Sequence, residues 1–271
     1  MRTNGLAILG CGKIGEALLS GLLRGGQRRP EDIVVSEKHP ERAAYLRATY
    51  GVATAGVAEA VASASTVLIA VKPQDSAALL AQIHDHVGTG RLVVSVAAGL
   101  TTARIEAALP AGVAVVRCMP NTPALVDAAM TAISAGAHAT GEHLAIAELL
   151  LRTVGKVVRV PEAQLDAVTA LSGSGPAYFF YLVEAMIDAG ILLGLPRELA
   201  AQLVVQTAVG SAAMLRDTGD HPVQLREAVT SPGGTTIAAI RELEVHAVRA
   251  AVIAAIEAAH DRSVDLGAAR T

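Results

Sequence analysis

Three stretches of this 271-residue chain combine residue types and spacings that can bind or turn over a small molecule. The first is Gly10-Cys11-Gly12-Lys13-Ile14-Gly15. Glycines at this spacing permit a tight turn, close approach of a pyrophosphate, and tight packing of a helix on a strand. The helix start that follows offers free N–H groups and a favourable dipole to phosphates. Alone, the pattern is weak. Here the apolar run Leu6–Leu9 precedes it, and Ile14, Ala17, Leu18 and Leu22 follow at helical spacing. Glu37 closes the next apolar run, completing the context a dinucleotide site requires. The structural alternative is a glycine-rich turn without a ligand. Glu37 suits a ribose 2′-hydroxyl and so NADH, whereas Lys38, His39 and Arg42, with Ser36 as donor, suit a 2′-phosphate. The expectation is that NADPH is accepted through Lys38 or Arg42, with NADH also open.

The second stretch is Val229-Thr230-Ser231-Pro232-Gly233-Gly234-Thr235-Thr236-Ile237. Ser231 is a good N-cap, and Pro232 falls where a first helical residue loses nothing by lacking an N–H. The N–H groups of Gly233, Gly234 and Thr235 would then face outward as a site for a small anion. The alternative is an ordinary capped helix. In the third, Leu171-Ser172-Gly173-Ser174-Gly175-Pro176-Ala177-Tyr178, the two serines do not make a hydrolase elbow. G-x-S-x-G is not met, because position 170 is alanine and position 172 is serine. A polar turn between helices and a binding role remain equally open for it. Ala70-Val71-Lys72-Pro73-Gln74 and Arg117–Pro123 each follow a strand, at the edge where ligands bind in open α/β sheets. No acid–base team stands out. His84 and His86 are two apart and face different ways on a helix, and no Cys/His spacing reads as a metal site. A hydride transfer needs little such machinery, because the cofactor carries the hard chemistry.

The elements that must position these residues follow from periodicity. Runs at 6–9, 33–35, 66–71, 92–96 and 113–116 read as buried strands, and 131–134 and 156–160 extend the sheet edge. Helical patterns fill 40–49, 56–63, 74–86 and 101–108. Near-continuous apolar strands with helical crossovers imply an α/β, doubly wound parallel sheet. After Pro161 the strand signals stop, and helices are expected over 163–171, 176–194, 197–216 and 234–243, with a last helix from about Val245. The expected division is therefore 1–161 for a dinucleotide-binding domain and 162–271 for an all-α domain. Several of the later helices lack a wide polar face, so a subunit interface is the natural place to bury them, with a compact monomer as the alternative.

Lys+Arg at 22 against Asp+Glu at 25 gives a net charge of −3, which argues against nucleic acid or an anionic membrane as partner. Hydrophobic content of 52% excludes a disordered chain, while only 2% is aromatic, so the site does not depend on ring stacking. The stretches 167–183 and 199–215 are interrupted by polar residues and do not read as membrane spans. Cys11 and Cys118 make no disulfide framework, and Leu6–Leu9 is too short for a signal peptide, so a cytoplasmic chain is expected.

These motifs together resemble the pyrroline-5-carboxylate reductase family, from Gly10 to about Leu266. The most specific parts are 70–74, Met119-Pro120-Asn121-Thr122-Pro123, 171–178, and His221–Leu225 leading into Thr230–Thr236. The resemblance implies a Rossmann domain followed by a helical domain that forms a homodimer, with dimers often assembled into larger rings. It implies hydride transfer from NAD(P)H to the C=N of 1-pyrroline-5-carboxylate, giving L-proline, the last step of proline synthesis. By resemblance, the cofactor contacts are Gly10, Gly12, Lys13, Ile14, Gly15, Ser36, Glu37, Lys38, Ala70, Val71, Lys72, Pro73, Ala97 and Asn121. The substrate contacts are Ser174, Ser231, Gly233, Gly234, Thr235 and Thr236, with Thr236 catalytic. Two other readings stand beside it. One is a Rossmann reductase of another small imino or hydroxy acid. The β-hydroxy-acid version would use a lysine around 177–193, where none occurs. The other is a non-catalytic NAD(P)-binding regulator.

Overall fold

The computed structural model describes residues 5–268. Eight strands form one sheet: β1 Leu6–Leu9, β2 Ile33–Ser36, β3 Ala53–Thr54, β4 Thr66–Ile69, β5 Leu92–Ser95, β6 Ala114–Met119, β7 Ala129–Ala135 and β8 Gly155–Arg159. Their order is β3-β2-β1-β4-β5-β6-β7-β8, parallel throughout except that β7 runs antiparallel to β6. The helices beside this sheet are α1 Lys13–Arg24, α2 Pro40–Tyr50, α3 Val57–Ser63, α4 Ser76–Ile83, α5 Thr102–Ala107, α6 Gly141–Leu151 and the short α7 Leu165–Val168. The first six strands have the Rossmann order, reversing direction of winding between β1 and β4.

Alternation within each strand builds two cores, because successive side chains point to opposite faces. Leu6, Ile8, Ile33, Val35, Val94 and Val116 meet Leu18, Leu19 and Leu22 of α1 and Leu150 and Leu151 of α6 on one face. Ala7, Leu9, Val67, Ile69, Val93 and Val115 meet Val61, Leu79, Leu80, Ile83 and Ile105 on the other. The strands are apolar at consecutive positions because both faces are covered.

Cα packing divides the chain into two compact units. One holds residues up to Ser174 together with those from Ala259, and the other holds Gly175–Ala258. The segment 162–174 falls in the first unit because it anchors there: Leu165 and Ala170 are fully buried, and Glu162 accepts from Thr102 N at 2.8 Å and pairs with the buried Arg117 at 3.1 Å. Ser263 of the last helix donates to Asp166 at 2.7 Å in the same unit.

The second unit comprises α8 Gly175–Leu192, α9 Arg197–Thr218, α10 Pro222–Ala228, α11 Thr235–Val245 and the first half of α12 Val248–Ala268. Among its described residues only Gly175 and Ala200 are buried. Phe179, Phe180, Tyr181, Leu192 and Leu193 are all exposed. By length and composition, the helical stretches Glu162–Leu192 and Arg197–Thr218 are long and apolar enough to cross a membrane, contrary to the expectation from their polar interruptions. The sequence pattern also missed β3, α6 and α10, all short or weakly amphipathic.

Gly155 opens β8 at φ 153°, and a Cβ there would fall 2.2 Å from Ala129 O. Gly155→Ala should therefore lower stability by about 2–4 kcal/mol through backbone strain and overpacking. Urea unfolding should show a lower midpoint at unchanged slope. A midpoint equal to wild type would contradict the reading.

Candidate active site

A cleft of about 640 Å³ opens beyond the C-terminal ends of β1 to β4, where the strand order reverses. Ligands of open α/β sheets bind at this reversal. Of the residues singled out from the sequence, Gly10, Gly12, Ser36, Glu37, Lys38, Ala70, Val71 and Lys72 line it. Lys13, Ile14 and Gly15 form the first turn of α1 and do not themselves line it, nor do Pro73, Ala97 and Asn121.

The glycine loop is packed closely against the chain after β4 and against its own helix. Gly10 sits at φ 81°, and a Cβ on it would lie 2.6 Å from Val71 Cγ1. A Cβ on Gly15 would lie 2.7 Å from Gly10 O. Gly10 N donates to Ser36 O at 2.8 Å and Ala70 N to Leu9 O at 2.9 Å, tying the ends of β1, β2 and β4 together. Gly12 caps α1 without any side-chain hydrogen bond, and open space surrounds its Cα. The first-turn N–H groups of α1 therefore face the cleft mouth unblocked by a cap, in the arrangement a pyrophosphate requires. The cradle fits a dinucleotide.

Charges around the loop are mostly committed. Glu37 accepts from Cys11 N and His39 N, both at 3.1 Å. Arg42 donates to Cys11 O at 3.1 and 3.2 Å, pairs with Glu16, and lies 5.0 Å over the Tyr45 ring. Arg42 thus braces the loop from behind and is not the free cation expected from the sequence. Tyr50 donates to Glu16 at 2.9 Å. Burial pushes the Glu16 carboxyl up, but the hydrogen bonds from Arg42 and Tyr50 together outweigh it and hold the group below its ordinary value. Burial, then the bond to Glu16, pushes Tyr50 up to about 12. Burial likewise pushes the Cys11 thiol up to about 12, leaving it unreactive despite its place in the loop. Lys38 remains, exposed, 3.5 Å from Asp75.

Asn121 does not present its amide to the cleft. Its Nδ2 donates to Ser172 O at 3.1 Å and its Oδ1 accepts from Met130 N at 3.0 Å, so it ties the loop after β6 to the segment that carries the two serines. That segment includes a π-helical turn, Thr169–Gly173, rather than a simple turn between helices. Ser174 N closes it onto Thr169 O at 2.8 Å, and Ser174 is half-buried. Such turns recur at functional sites because they displace side chains from the regular helical path.

In the second unit, the expected cap at Ser231 is corrected. Gly234 caps α11, and residues 231–234 form a turn closed by Gly234 N to Ser231 O at 3.1 Å. Pro232 followed by Gly233 at φ 69° is the type II combination, so Gly233 is explained by the turn and the Gly234 N–H is already bonded. The free donors move along by two residues, to the N–H groups of Thr235, Thr236 and Ile237. Thr236, half-buried in the first turn, makes no hydrogen bond through its hydroxyl among the described residues.

Gln74, from the stretch singled out after β4, also lines the cleft, whereas sequence reasoning missed the rest of its outer wall: Ala55, Gly56 and Val57 after the two-residue β3, and Asp75 and Gln82 before and on α4. The Asp75 signal was present, three residues past Lys72 at a helix start, but only the fold sets it opposite Lys38. Among the described residues, no group of three or more His, Cys, Asp or Glu could hold a metal ion.

A family model for pyrroline-5-carboxylate reductase dimerisation matches residues 162–266, and one described as NADP oxidoreductase, coenzyme F420-dependent, matches 5–99. The chain is 48% identical to a pyrroline-5-carboxylate reductase of Mycobacterium tuberculosis, covering 96% of both, and 40% identical to one of Escherichia coli, covering 96% and 97%. Among solved structures, a pyrroline-5-carboxylate reductase from Coxiella burnetii matches with TM-score 0.90 at 36% identity, covering 98% of this chain and 99% of that one. A pyrroline carboxylate reductase from Plasmodium falciparum with NADP bound matches with TM-score 0.89 at 27% identity and the same coverage.

The brace behind the loop has a pH signature. Glu16 is held below its ordinary value in the fold, so its contribution is complete above the usual carboxylate range and is lost as pH falls through the lowered folded value. Glu16→Gln should cost about 1 kcal/mol or less at neutral pH, because solvent screens the half-exposed pair. The gap between variant and wild type should close as pH falls below about 4. Urea midpoints at both pH values check this, and a gap that stays constant refutes it.

Proposed function

The chain belongs to the pyrroline-5-carboxylate reductase family, and we propose from that premise how its own residues perform the reaction. It is an NAD(P)H-dependent oxidoreductase acting on a CH–NH group. The C=N of 1-pyrroline-5-carboxylate gains a hydride at carbon and a proton at nitrogen, giving L-proline. The observation that carries the cofactor half is the cradle at Gly10, where a backbone approach that excludes any Cβ adjoins uncapped helix N–H groups.

In this reading Gly10, Gly12, Lys13, Ile14 and Gly15 receive the pyrophosphate, and Ser36, Glu37 and Lys38 receive the adenosine ribose. Ala70, Val71, Lys72, Pro73 and Ala97 flank the nicotinamide end. When bound, NADPH, or NADH in its place, supplies the hydride. Asn121 acts as a positioning residue, holding Ser172 O and with it the π-turn that Ser174 caps. At the start of α11, the N–H groups of Thr235, Thr236 and Ile237 hold the substrate carboxylate, and Ser231, Gly233 and Gly234 shape the turn that leaves them open. A neutral imine accepts hydride poorly, and a hydrogen bond at its nitrogen draws electron density from the carbon. The free Thr236 hydroxyl supplies that bond.

The exposed apolar faces of α8 and α9 support a homodimer in which a second copy covers the C-terminal helices. A larger ring of such dimers is the assembly the resemblance adds, and a cytoplasmic location follows from the same reading. Sedimentation should give at least twice the 27.6 kDa of one chain.

Loss of NADPH absorbance on adding 1-pyrroline-5-carboxylate tests the function. Cofactor binding without turnover would instead favour the regulator reading. Thr236→Val keeps the side-chain shape and removes the hydroxyl. General-acid assistance contributes ~10²–10⁴-fold, and an orienting bond falls near or below the bottom of that range. The variant should therefore lose up to about 10²-fold in kcat with folding and NADPH binding intact. Wild-type kcat in the variant would refute the role.

A further inference from the structure

The ribose end of the cleft holds more charge than a cofactor contact needs, and the way that charge is paired carries a selectivity device. Four of its groups lie at the end of β2 and just after it: Ser36, Glu37, Lys38 and His39. A 2′-phosphate is read at this position in the fold. Glu37 is bonded to Cys11 N and His39 N, and Arg42 to Cys11 O and Glu16, so neither is free to rearrange around a new anion. Lys72 also lines the cleft, but it follows β4. Lys38 is the ammonium after β2, and its partner is Asp75, on the opposite wall after β4, at 3.5 Å.

Asp75 stands at the N-cap of α4, where an aspartate ordinarily accepts from the first-turn N–H groups. Here it makes no capping hydrogen bond. Its carboxylate pairs instead with Lys38, joining the loops that follow the two strands flanking β1.

We propose that Asp75 is a cofactor-discriminating residue, which holds Lys38 across the cleft and counts against any ligand that carries a 2′-phosphate. The proposal rests on the reading of this cleft as the NAD(P)H site. A 2′-phosphate and the Asp75 carboxylate compete for one ammonium, and they repel each other besides. A 2′-hydroxyl makes no such demand, so ligands without the phosphate leave the pair in place. Both side chains are substantially exposed, so the penalty is modest and salt-dependent.

The test compares Kd for 2′,5′-ADP and for 5′-AMP, by calorimetry, in wild type, Asp75→Asn, Lys38→Gln and the double variant. Circular dichroism confirms folding in each. The selectivity is the ratio of the two Kd values. Asp75→Asn should raise preference for 2′,5′-ADP about three- to ten-fold at low salt. That gain should shrink at high salt and in the Lys38→Gln background. Lys38→Gln alone should lower the preference. Steady-state kcat/KM for NADPH over NADH should move in the same directions. A ratio unmoved by Asp75→Asn, or a gain undiminished without Lys38, overturns the proposal while leaving the cofactor site intact. Failure of wild type to bind NADPH, NADH or either nucleotide overturns the cofactor reading itself, and the proposal with it.

Discussion

Gly10 lies so close to Val71 that no side-chain carbon fits between them, and the remainder of the cofactor cleft depends on that approach. It fixes the distance between the ends of β1 and β4, the two strands at which the sheet reverses its winding. Gly15 repeats the constraint one turn along, seating α1 on the loop itself. With both contacts made, the axis of α1 points at the cleft, and its first N–H groups have no side-chain competitor. Any Cβ at Gly10 would separate β1 from β4 or turn the helix away. The shape of the loop is thus a property of close spacing at two glycines, with the charged side chains added afterwards.

Those side chains have two tasks that charge alone does not distinguish. Arg42, Glu16 and Tyr50 form a brace behind the loop, half-buried and mutually bonded, and their interaction is with Cys11 O rather than with a ligand. Lys38 and Asp75 stand on the exposed rim, where an ion pair is weak and readily exchanged. A half-buried, mutually bonded brace gives rigidity, whereas an exposed pair is easily exchanged. The fold separates the two by placing one on the α1–α2 side and the other across the strand ends.

Much of this was legible in the residues. The strands at 6–9, 33–36, 66–69 and 92–95 announced themselves because burial on both faces leaves no polar alternation to confuse the pattern. The glycine spacing and Glu37 located the cleft. Arg42 was misread, because one turn into a helix its side chain can reach either the ribose or the back of the loop, and only the position of Glu16 decides between them. The start of α11 was placed three residues early for a similar reason. Ser-Pro is a fair helix opening until Gly233, directly after the proline, is seen to permit a type II turn instead. Asn121 looked like a ligand contact because it follows a strand at the binding edge. Its two bonds, to Ser172 O and Met130 N, span 51 and 9 residues, which local sequence does not reveal.

The two units meet the problem of burying apolar surface differently, and this bears on the chemistry. The sheet unit is self-sufficient, with two cores built from alternate residues of the same strands. The helical unit buries only Gly175 and Ala200 among its described residues and leaves Phe179, Phe180 and Tyr181 in the open. A chain with 2% aromatic residues that exposes three in a row needs a surface to cover them. Interfaces that replace a missing core are large and apolar, and a protomer that depends on one has a stability tied to its own concentration. The helix start at Thr235–Ile237 belongs to this unit, whereas the glycine cradle does not. The glycine cradle therefore rests on a locally determined backbone. The proposed carboxylate site and the Thr236 hydroxyl rest on helices whose apolar faces are left exposed.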